Sequence, residues 1–459
     1  MDQKPKLTVS GFRGIWGKDL NEQIAFEYAL AFAKLIKKNG AKKILVGRDA
    51  RKTGPQMLGA TKSALEKEGL EMEYAGIIPT PSILLLVKKL FYDGGIIVTA
   101  SHNPKEYNGF KFVANDGLFI EQEEINELER IREDLNKNGN KYLKNVDLES
   151  LELNNRNEEF RKMHIDEILK NVDVGLIKSK KFKVALDPIN GAGSIITQEL
   201  LTDLGCSVYA INTEQNGEFS HEPEPLVKNL GQIGKATIES NSDVGFALDP
   251  DADRLVIVNE KGEILSEEYT LAFAVLNVLF TKKESTDIAV NMSTSRMCED
   301  ILKNYGKKVF RTKVGELNVV NKMLEINASI SGEGNGGVIY PKIDKTRDSL
   351  VGIAFVLELL AKENKSVSSV VNSLPRYVMK KEKITFNKKL DLLYEKLKKE
   401  FNDASSVNTL DGIRFDWADF SWIHIRPSNT EPKMWIISEA KNVSRIDNLV
   451  GRVKSIVLE

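Results

Sequence analysis

The chain is poor in the residues that staple or anchor small secreted and membrane proteins. Only two cysteines, Cys206 and Cys298, occur in 459 residues. They lie far apart in no paired motif, which excludes a disulfide framework and a thiolate zinc site and fits a reducing compartment. Of the four histidines, His164, His221 and His424 are scattered and read as structural rather than as metal ligands. Net charge is also nearly absent: 65 Lys+Arg against 66 Asp+Glu gives −1, so there is no overall basic field to draw the chain to nucleic acid or to an anionic membrane. No long hydrophobic run is present. The most apolar stretch, Thr270 to Phe280, is too short to span a bilayer and contains Asn277. The N-terminal MDQKPKLTVS is charged from the start and does not read as a leader. The expectation is a cytoplasmic protein with neither a membrane nor a nucleic-acid partner.

What is present is ordinary globular composition, 41% hydrophobic and 29% charged, in a length that suggests three or four domains at about 150 residues each. Asn21 to Lys38 carries Ala25, Tyr28, Ala29, Phe32, Leu35 and Ile36 on one helical face, with Gly40 as a stop. A short apolar strand then runs from Lys42 into GRDAR, followed by a helix over Pro55–Glu68 and a strand over Glu71–Tyr74. The same order of strand, polar loop, helix and strand returns from Lys181 to Ile211 and again from Asp287 to Thr312. This repetition predicts three similar α/β domains with mixed, mainly parallel sheets. The charged, Asn-rich segment Asp134 to Asn155 reads as a solvated connector between the first two. After Lys365 the pattern changes to strand, helix, two strands and a final helix, a separate α+β domain. The expected boundaries are 1–145, 146–255, 256–370 and 371–459.

Four short stretches carry chemistry. In GGIIVTASHNPKEYNGFK an apolar strand opens into Ser101 and His102, a hydroxyl and an imidazole at the carboxyl end of a strand, with Lys111 downstream. A helix-capping or turn serine is the ordinary alternative for Ser101 alone. In DPDADR, the residues Asp249, Asp251 and Asp253 crowd three carboxylates into a tight loop, which is strongly repulsive unless a cation sits among them. A calcium loop is the rival, since Glu260 falls at the twelfth position. It fails because Arg254 occupies the position that needs glycine and Leu255 to Val258 reads as a strand. Magnesium, which keeps positions open for phosphate oxygens, fits better. GEGNGG, Gly332 to Gly337, offers Glu333 and Asn335 on a tight turn, groups suited to sugar hydroxyls. IRPSNTEP offers Arg426, Ser428, Asn429 and Thr430, an inventory that suits a dianionic phosphate, and each of these last two stretches also reads as a plain turn. Near the start, SGFRGIWG sets Arg13 among glycines as a cation on a mobile loop able to reach a transferring phosphoryl group.

Together these motifs resemble the α-D-phosphohexomutase superfamily over essentially the whole chain and in the expected order. TASHNP with YNGFK looks like the family's phosphoserine loop, DPDADR its magnesium loop, GEGNGG its sugar-selecting loop and RPSNTEP its phosphate-binding loop, and GRDAR and IPTPS (Ile78 to Ser82) match family patterns too. The resemblance implies four domains around a deep cleft. It implies that Ser101 is carried as phosphoserine and that its phosphate completes a single Mg²⁺ site with Asp249, Asp251 and Asp253. Sugar 6-phosphate and 1-phosphate would interconvert through a bisphosphate that turns around while bound, and a hexose 1,6-bisphosphate would serve as activator. His102 and Lys111 match positions for proton transfer and site organisation, Arg13 and Arg254 positions that stabilise phosphoryl charge. Arg426, Ser428, Asn429 and Thr430 match the phosphate clamp. Many bacterial members have a serine and a histidine where Asn335 and Gly337 stand here. The GEGNGG form instead resembles archaeal-type phosphoglucosamine mutases, so glucosamine 6-phosphate and 1-phosphate are the expected pair.

Three other functions stay open at this level: a phosphomannomutase/phosphoglucomutase of dual specificity, a magnesium-dependent serine phosphatase in which water takes the phosphoryl group, and a calcium-binding regulatory protein. A monomer or a homodimer fits equally well.

Overall fold

A computed structural model describes residues 7–137, 141, 147, 149, 155–386, 389–427 and 433–458. In chain order its elements begin with β1 (Phe12–Ile15), α1 (Glu22–Lys37), β2 (Lys43–Arg48), α2 (Gly54–Lys67), β3 (Glu71–Ile77), α3 (Thr80–Lys89), β4 (Gly94–Val98), β5 (Tyr107–Ala114) and α4 (Gln122–Lys137). Next come α5 (Asn157–Leu169), α6 (Val174–Lys180), β6 (Lys183–Asp187), α7 (Ser194–Asp203), β7 (Ser207–Ala210), α8 (Gly231–Glu239), β8 (Val244–Leu248), β9 (Leu255–Val258) and α9 (Glu268–Phe280). They are followed by β10 (Ile288–Asn291), α10 (Met297–Lys303), β11 (Val309–Thr312), α11 (Glu316–Glu325), β12 (Ser331–Glu333), β13 (Gly337–Ile339), α12 (Ser349–Glu363) and α13 (Val367–Ser373). The last are β14 (Val378–Thr385), α14 (Leu390–Glu400), β15 (Ser406–Asn408), β16 (Ile413–Asp416), β17 (Trp422–Pro427), β18 (Lys433–Ala440) and α15 (Val443–Leu458).

Backbone contacts divide the chain into two compact units, one running to Glu284 and including Asn335–Val370, the other made of Ser285–Gly334 and the chain from Val371 onward. The first unit holds two of the repeated sheets. In one, β2 lies parallel between β3 and β4, and β5 then runs antiparallel beside β4. In the other, β6 lies parallel between β7 and β8, and β9 runs antiparallel beside β8. The central strands β2 and β4 of the first sheet are buried on both faces. Ile44, Val46, Ile96 and Val98 enter the core under α1, α2 and α4, while Leu45 and Ile97 enter the core with α3 and α5, which follows from the two-residue period of a strand covered by helices on both sides. Helix α1 starts where expected because the Asn21 side chain accepts the Ile24 N–H at 3.0 Å. The apolar run Thr270–Phe280 is α9, a helix buried nearly all round and packed on α12. Among the described residues no helix is long and apolar enough to cross a membrane.

In the second unit β10 lies parallel between β11 and β12. The C-terminal sheet is antiparallel in the order β14, β18, β17, β16, β15, with α14 and α15 completing its core.

Several expectations need correction. Arg13 stands on a strand, not on a mobile loop: β1 pairs antiparallel with β5 and sets Arg13 opposite Gly109. The approach is so close that a Cβ at Gly109 would lie 1.9 Å from the Phe12 carbonyl oxygen. The boundary expected after residue 255 cuts β9, which its pairing with β8 keeps in the second sheet, and the one expected after 370 falls inside α13. The connector expected from Asp134 still belongs to α4 as far as Lys137, and most of its remainder lies outside the described residues.

His164 is structural. Its Nδ1 accepts from or donates to Ser82 Oγ at 2.8 Å and its Nε2 meets Asp348 Oδ2 at 2.8 Å, all three side chains buried. This ties α3, α5 and the start of α12, where Asp348 Oδ1 also caps the helix. His164→Ala should lower the unfolding free energy by about 2–4 kcal/mol in a denaturant titration, because it strands a buried carboxylate and a hydroxyl.

Candidate active site

The serine loop is built on a strained residue. Ser101 has φ of +50°, the left-handed region that a non-glycine residue enters only when neighbours hold it there. Its N–H donates to Thr99 Oγ1 at 2.8 Å, and its carbonyl accepts Arg51 Nη2 at 2.6 Å. Arg51 is fully buried and makes further hydrogen bonds to the carbonyls of Asn103 (2.6 Å), Pro104 (2.6 Å) and Tyr107 (2.9 Å), while Asp49 receives its Nε at 3.0 Å. Asp49 also accepts the Thr99 hydroxyl at 2.7 Å. The GRDAR stretch is thus the floor of the serine loop, and Ser101 is a turn residue with no helix to cap. From the loop that follows β7, Phe219 lies against Arg51, its ring centroid 5.0 Å from the guanidinium, and Glu218 pairs with both Lys52 and Lys105.

Beside Ser101, His102 Nδ1 stands 3.3 Å from Ser101 Oγ. Burial, reinforced by Arg254 and Arg13, holds the imidazole well below its usual range, so it is neutral at pH 7. Arg13 donates to Asn103 Oδ1 at 3.1 Å, and burial lowers it to about 10, still a cation.

The three aspartates follow β8 and share one design. Asp249 Oδ1 accepts the N–H groups of Asp253 (3.1 Å) and Arg254 (3.2 Å). Asp251 Oδ2 accepts Thr80 Oγ1 (2.6 Å) and Lys111 Nζ (2.7 Å). Asp253 Oδ2 accepts Lys111 Nζ (3.3 Å) and Arg347 Nη2 (2.6 Å). The other oxygen of each, Asp249 Oδ2, Asp251 Oδ1 and Asp253 Oδ1, is buried without a hydrogen-bond partner. One ligand atom from each of the three lies within 4.8 Å of the others, and this is the one acidic cluster of its kind among the described residues. Three bare, converging carboxylate oxygens in a buried loop fit a hard divalent cation. Burial together with Asp253 and Asp251 pushes Asp249 well above the carboxylate range. For Asp253 burial works upward too, but Arg347, Lys111 and Arg254 outweigh it and hold the group below that range. Lys111 is likewise opposed by burial, yet Asp251 and Asp253 raise it, and it is a fixed cation. Glu260 lies past β9 and accepts from Ser368, away from the triad, which removes the calcium-loop reading.

In the second unit, Glu333 Oε1 accepts Asn291 Nδ2 at 2.7 Å and the Gly315 N–H at 3.3 Å. Thr294 Oγ1 and Lys381 Nζ grip Gly334. Arg426, on β17, has its Nε 3.2 Å from Asp411 Oδ2, which also accepts the Val314 N–H at 2.9 Å. His424 joins Ser293 Oγ to the Asp411 carbonyl, and burial lowers it to about 4. Ser428, Asn429 and Thr430 lie outside the described residues. Asn335, counted with the first unit, uses its amide oxygen to accept the Gly337 N–H at 3.2 Å, so it shapes its own turn.

Ser101, His102, Lys111, Arg13, Arg254 and the three aspartates therefore come together in the first unit. Sequence reasoning missed Arg347, Thr80, Asn291 and Asp411. IPTPS was legible as a pattern, and its role is to lay the start of α3 on the metal loop through Thr80. Nothing local marks Arg347.

The family comparison gives the class, a sugar-phosphate mutase. In order, the chain matches phosphoglucomutase/phosphomannomutase alpha/beta/alpha domain I over residues 4–139, domain II over 162–262, domain III over 267–377 and the C-terminal domain over 379–455. The chain belongs to this family. It is 33% identical over 455 residues, 98% of both chains, to a phosphoglucosamine/phosphogalactosamine mutase of Sulfurisphaera tokodaii. It is 34% identical over 440 residues, 94% of both, to a phosphoglucomutase/phosphomannomutase of Thermococcus kodakarensis. A crystal structure of a phosphoglucomutase/phosphomannomutase family protein from Burkholderia thailandensis superposes with a TM-score of 0.82 at 25% identity, covering 97% of this chain and 95% of that one.

Arg51→Met should reduce turnover by about 100-fold, since a displacement of the serine near 1 Å is costly, and should lower the unfolding free energy by about 2–4 kcal/mol because four carbonyls lose their donor. Steady-state kinetics and denaturant melts check both.

Proposed function

We propose that the chain interconverts hexose 6-phosphate and hexose 1-phosphate, with glucosamine phosphate as preferred substrate, through phospho-Ser101 and a bound hexose 1,6-bisphosphate. The observation that carries this reading is a serine held in the left-handed region beside a neutral imidazole and three carboxylates, each with one bare oxygen.

In the first half-reaction the free sugar hydroxyl attacks the phosphorus of phospho-Ser101; a phosphorus–oxygen bond to the sugar forms as the bond to Ser101 Oγ breaks. One proton must travel from the attacking hydroxyl to the departing serine oxygen. Neutral His102, 3.3 Å from Ser101 Oγ, can carry it. Lys111 stays charged and orients Asp251 and Asp253. Arg13 and Arg254 offset charge spreading over the phosphoryl oxygens. Asp249, Asp251, Asp253 and the phosphate of Ser101 would hold one Mg²⁺, which neutralises charge on the transferring group. The bisphosphate then turns around and returns its other phosphate to Ser101 by the same steps in reverse, so free bisphosphate activates any dephosphorylated enzyme.

Glu333 accepts from sugar hydroxyls that glucosamine, glucose and mannose share, supplying affinity without choice. The preference for the aminosugar rests on the GEGNGG loop and on relatives named phosphoglucosamine mutase. Asn335 contributes through the shape it gives that turn, its amide oxygen accepting the Gly337 N–H. Arg426, aimed by Asp411, and Ser428, Asn429 and Thr430 clamp the phosphate that is not reacting. We place the enzyme in the cytoplasm, in keeping with two cysteines that form no disulfide.

Ser101→Ala should abolish turnover while sugar-phosphate binding persists, and intact mass should show one phosphate on wild type that this variant lacks. Turnover near wild type in Ser101→Ala, or release of inorganic phosphate in place of mutase product, overturns the reading. Arg426→Ala should raise KM for every phosphosugar by a similar factor; a loss confined to one sugar contradicts the clamp. If kcat/KM with Mg²⁺ and a common bisphosphate is as high for glucose or mannose phosphate as for glucosamine phosphate, the aminosugar preference is wrong and dual specificity takes its place.

A further inference from the structure

The segment that follows the sugar loop is laced onto the metal loop. Leu255 N–H donates to the Gly336 carbonyl at 3.0 Å, Ser349 Oγ donates to the Ala252 carbonyl at 2.6 Å, and Asp348 N–H returns to the Val338 carbonyl at 2.8 Å. Between these backbone ties lies Arg347. Its side chain is almost fully buried, and Nη2 meets Asp253 Oδ2 at 2.6 Å, a shorter contact than Lys111 (3.3 Å to Oδ2) or Arg254 (3.7 Å to Oδ1) makes with the same carboxylate. Arg347 thus makes the shortest of the three side-chain contacts that hold the Asp253 carboxylate.

Gly337 gives this arginine its path. A Cβ built on Gly337 would stand 2.3 Å from Arg347 Cδ and 2.7 Å from Cγ, far inside contact distance. The need is for space and not for an unusual backbone, because Gly337 lies outside the left-handed region. Gly336 beside it is a different case: its φ is +91° and a Cβ there would lie 2.5 Å from the Leu255 carbonyl oxygen. Two adjacent glycines therefore do two jobs, one fitting the turn to the metal loop and the other leaving room for a guanidinium.

We propose that Arg347 is a positioning residue for phosphoryl transfer, fixing the Asp253 carboxylate, and that Gly337 in the sugar loop is the position on which that role depends. The inference rests on the mutase reading. It makes position 337 a determinant of metal-loop geometry, so that any side chain placed there acts by pushing Arg347 off Asp253. A bidentate-capable guanidinium suits this better than an ammonium, since its planar fork holds a carboxylate in one orientation.

The test uses the full-length, phosphorylated enzyme and five proteins: wild type, Arg347→Ala, Arg347→Lys, Gly337→Ala and the double variant Gly337→Ala/Arg347→Ala. Two quantities are read, steady-state kcat and KM, and the Mg²⁺ dissociation constant by calorimetry with the metal alone. Arg347→Ala is expected to lower kcat by about tenfold or more with KM within about threefold, as for a group that acts on alignment, and to move the Mg²⁺ constant by at least about threefold. Gly337→Ala is expected to shift both quantities in the same sense, and the double variant to be no worse than Arg347→Ala alone, since the two changes remove one interaction. Arg347→Lys is expected to keep the Mg²⁺ constant and recover only part of kcat. If Arg347→Ala leaves both quantities within about twofold of wild type, or if the two single losses multiply in the double variant, the proposal fails. Should Gly337→Ala not fold, Arg347→Ala against Arg347→Lys still decides, full recovery of kcat by lysine counting against a positioning fork. Absence of mutase turnover and of the Ser101 phosphate in wild type would instead remove the mutase reading itself.

Discussion

The mutual repulsion of three buried carboxylates is the constraint around which the first unit is arranged. With ligand atoms within 4.8 Å of one another, each ionised pair costs about 3 kcal/mol at an effective dielectric near 20, and three such pairs rival the net stability of a whole domain. The structure meets this cost from several directions: Lys111 comes from β5, Thr80 from the start of α3, Arg254 and two N–H groups from the loop itself, and Arg347 from the segment ahead of α12. The hydrogen bonds all fall on one oxygen of each aspartate and leave the other without a hydrogen-bond partner, Arg254 standing off Asp249 Oδ2 at 3.9 Å and Asp253 Oδ1 at 3.7 Å. A purely structural cluster would have satisfied both oxygens, as native proteins do for nearly all buried polar groups.

In the second unit the polar side chains are arranged by partners of opposite sign or complementary hydrogen bonding, not by repulsion. Glu333 is held by the Asn291 amide and the Gly315 backbone N–H. Asp411 anchors both Arg426 and the Val314 backbone, and its own carbonyl receives the neutral His424. The sheet that bears Glu333 and the sheet that bears Arg426 are therefore stitched within one unit by Ser293, His424 and Asp411.

Much of this was legible from short stretches whose physics is local. The helix start at Asn21, the strand Leu255–Val258 and the crowding of Asp249, Asp251 and Asp253 all depend on neighbours within a few residues. What escaped depends on partners far along the chain. Arg13 reads as part of a loop until Gly109 pairs with it. β18 was missed because it is a central strand, buried on both faces over Ile436–Ala440, and shows no clean alternation there. The boundary at residue 255 was misplaced because the hairpin of β8 and β9 carries a functional loop in place of a turn signal. Arg347 could not be singled out, since its partner Asp253 lies 94 residues earlier.

The pairing of α9 with α12 also governs how the protein is made. Both helices are apolar on nearly every side, so each is a poor neighbour for water until it meets the other. Between them in the chain lies Ser285–Gly334, which belongs to the other unit. At a synthesis rate of about 5–20 residues per second, α9 leaves the ribosome several seconds before its partner exists. During that interval the apolar surface of Thr270–Phe280 that α12 covers in the folded unit lacks this partner.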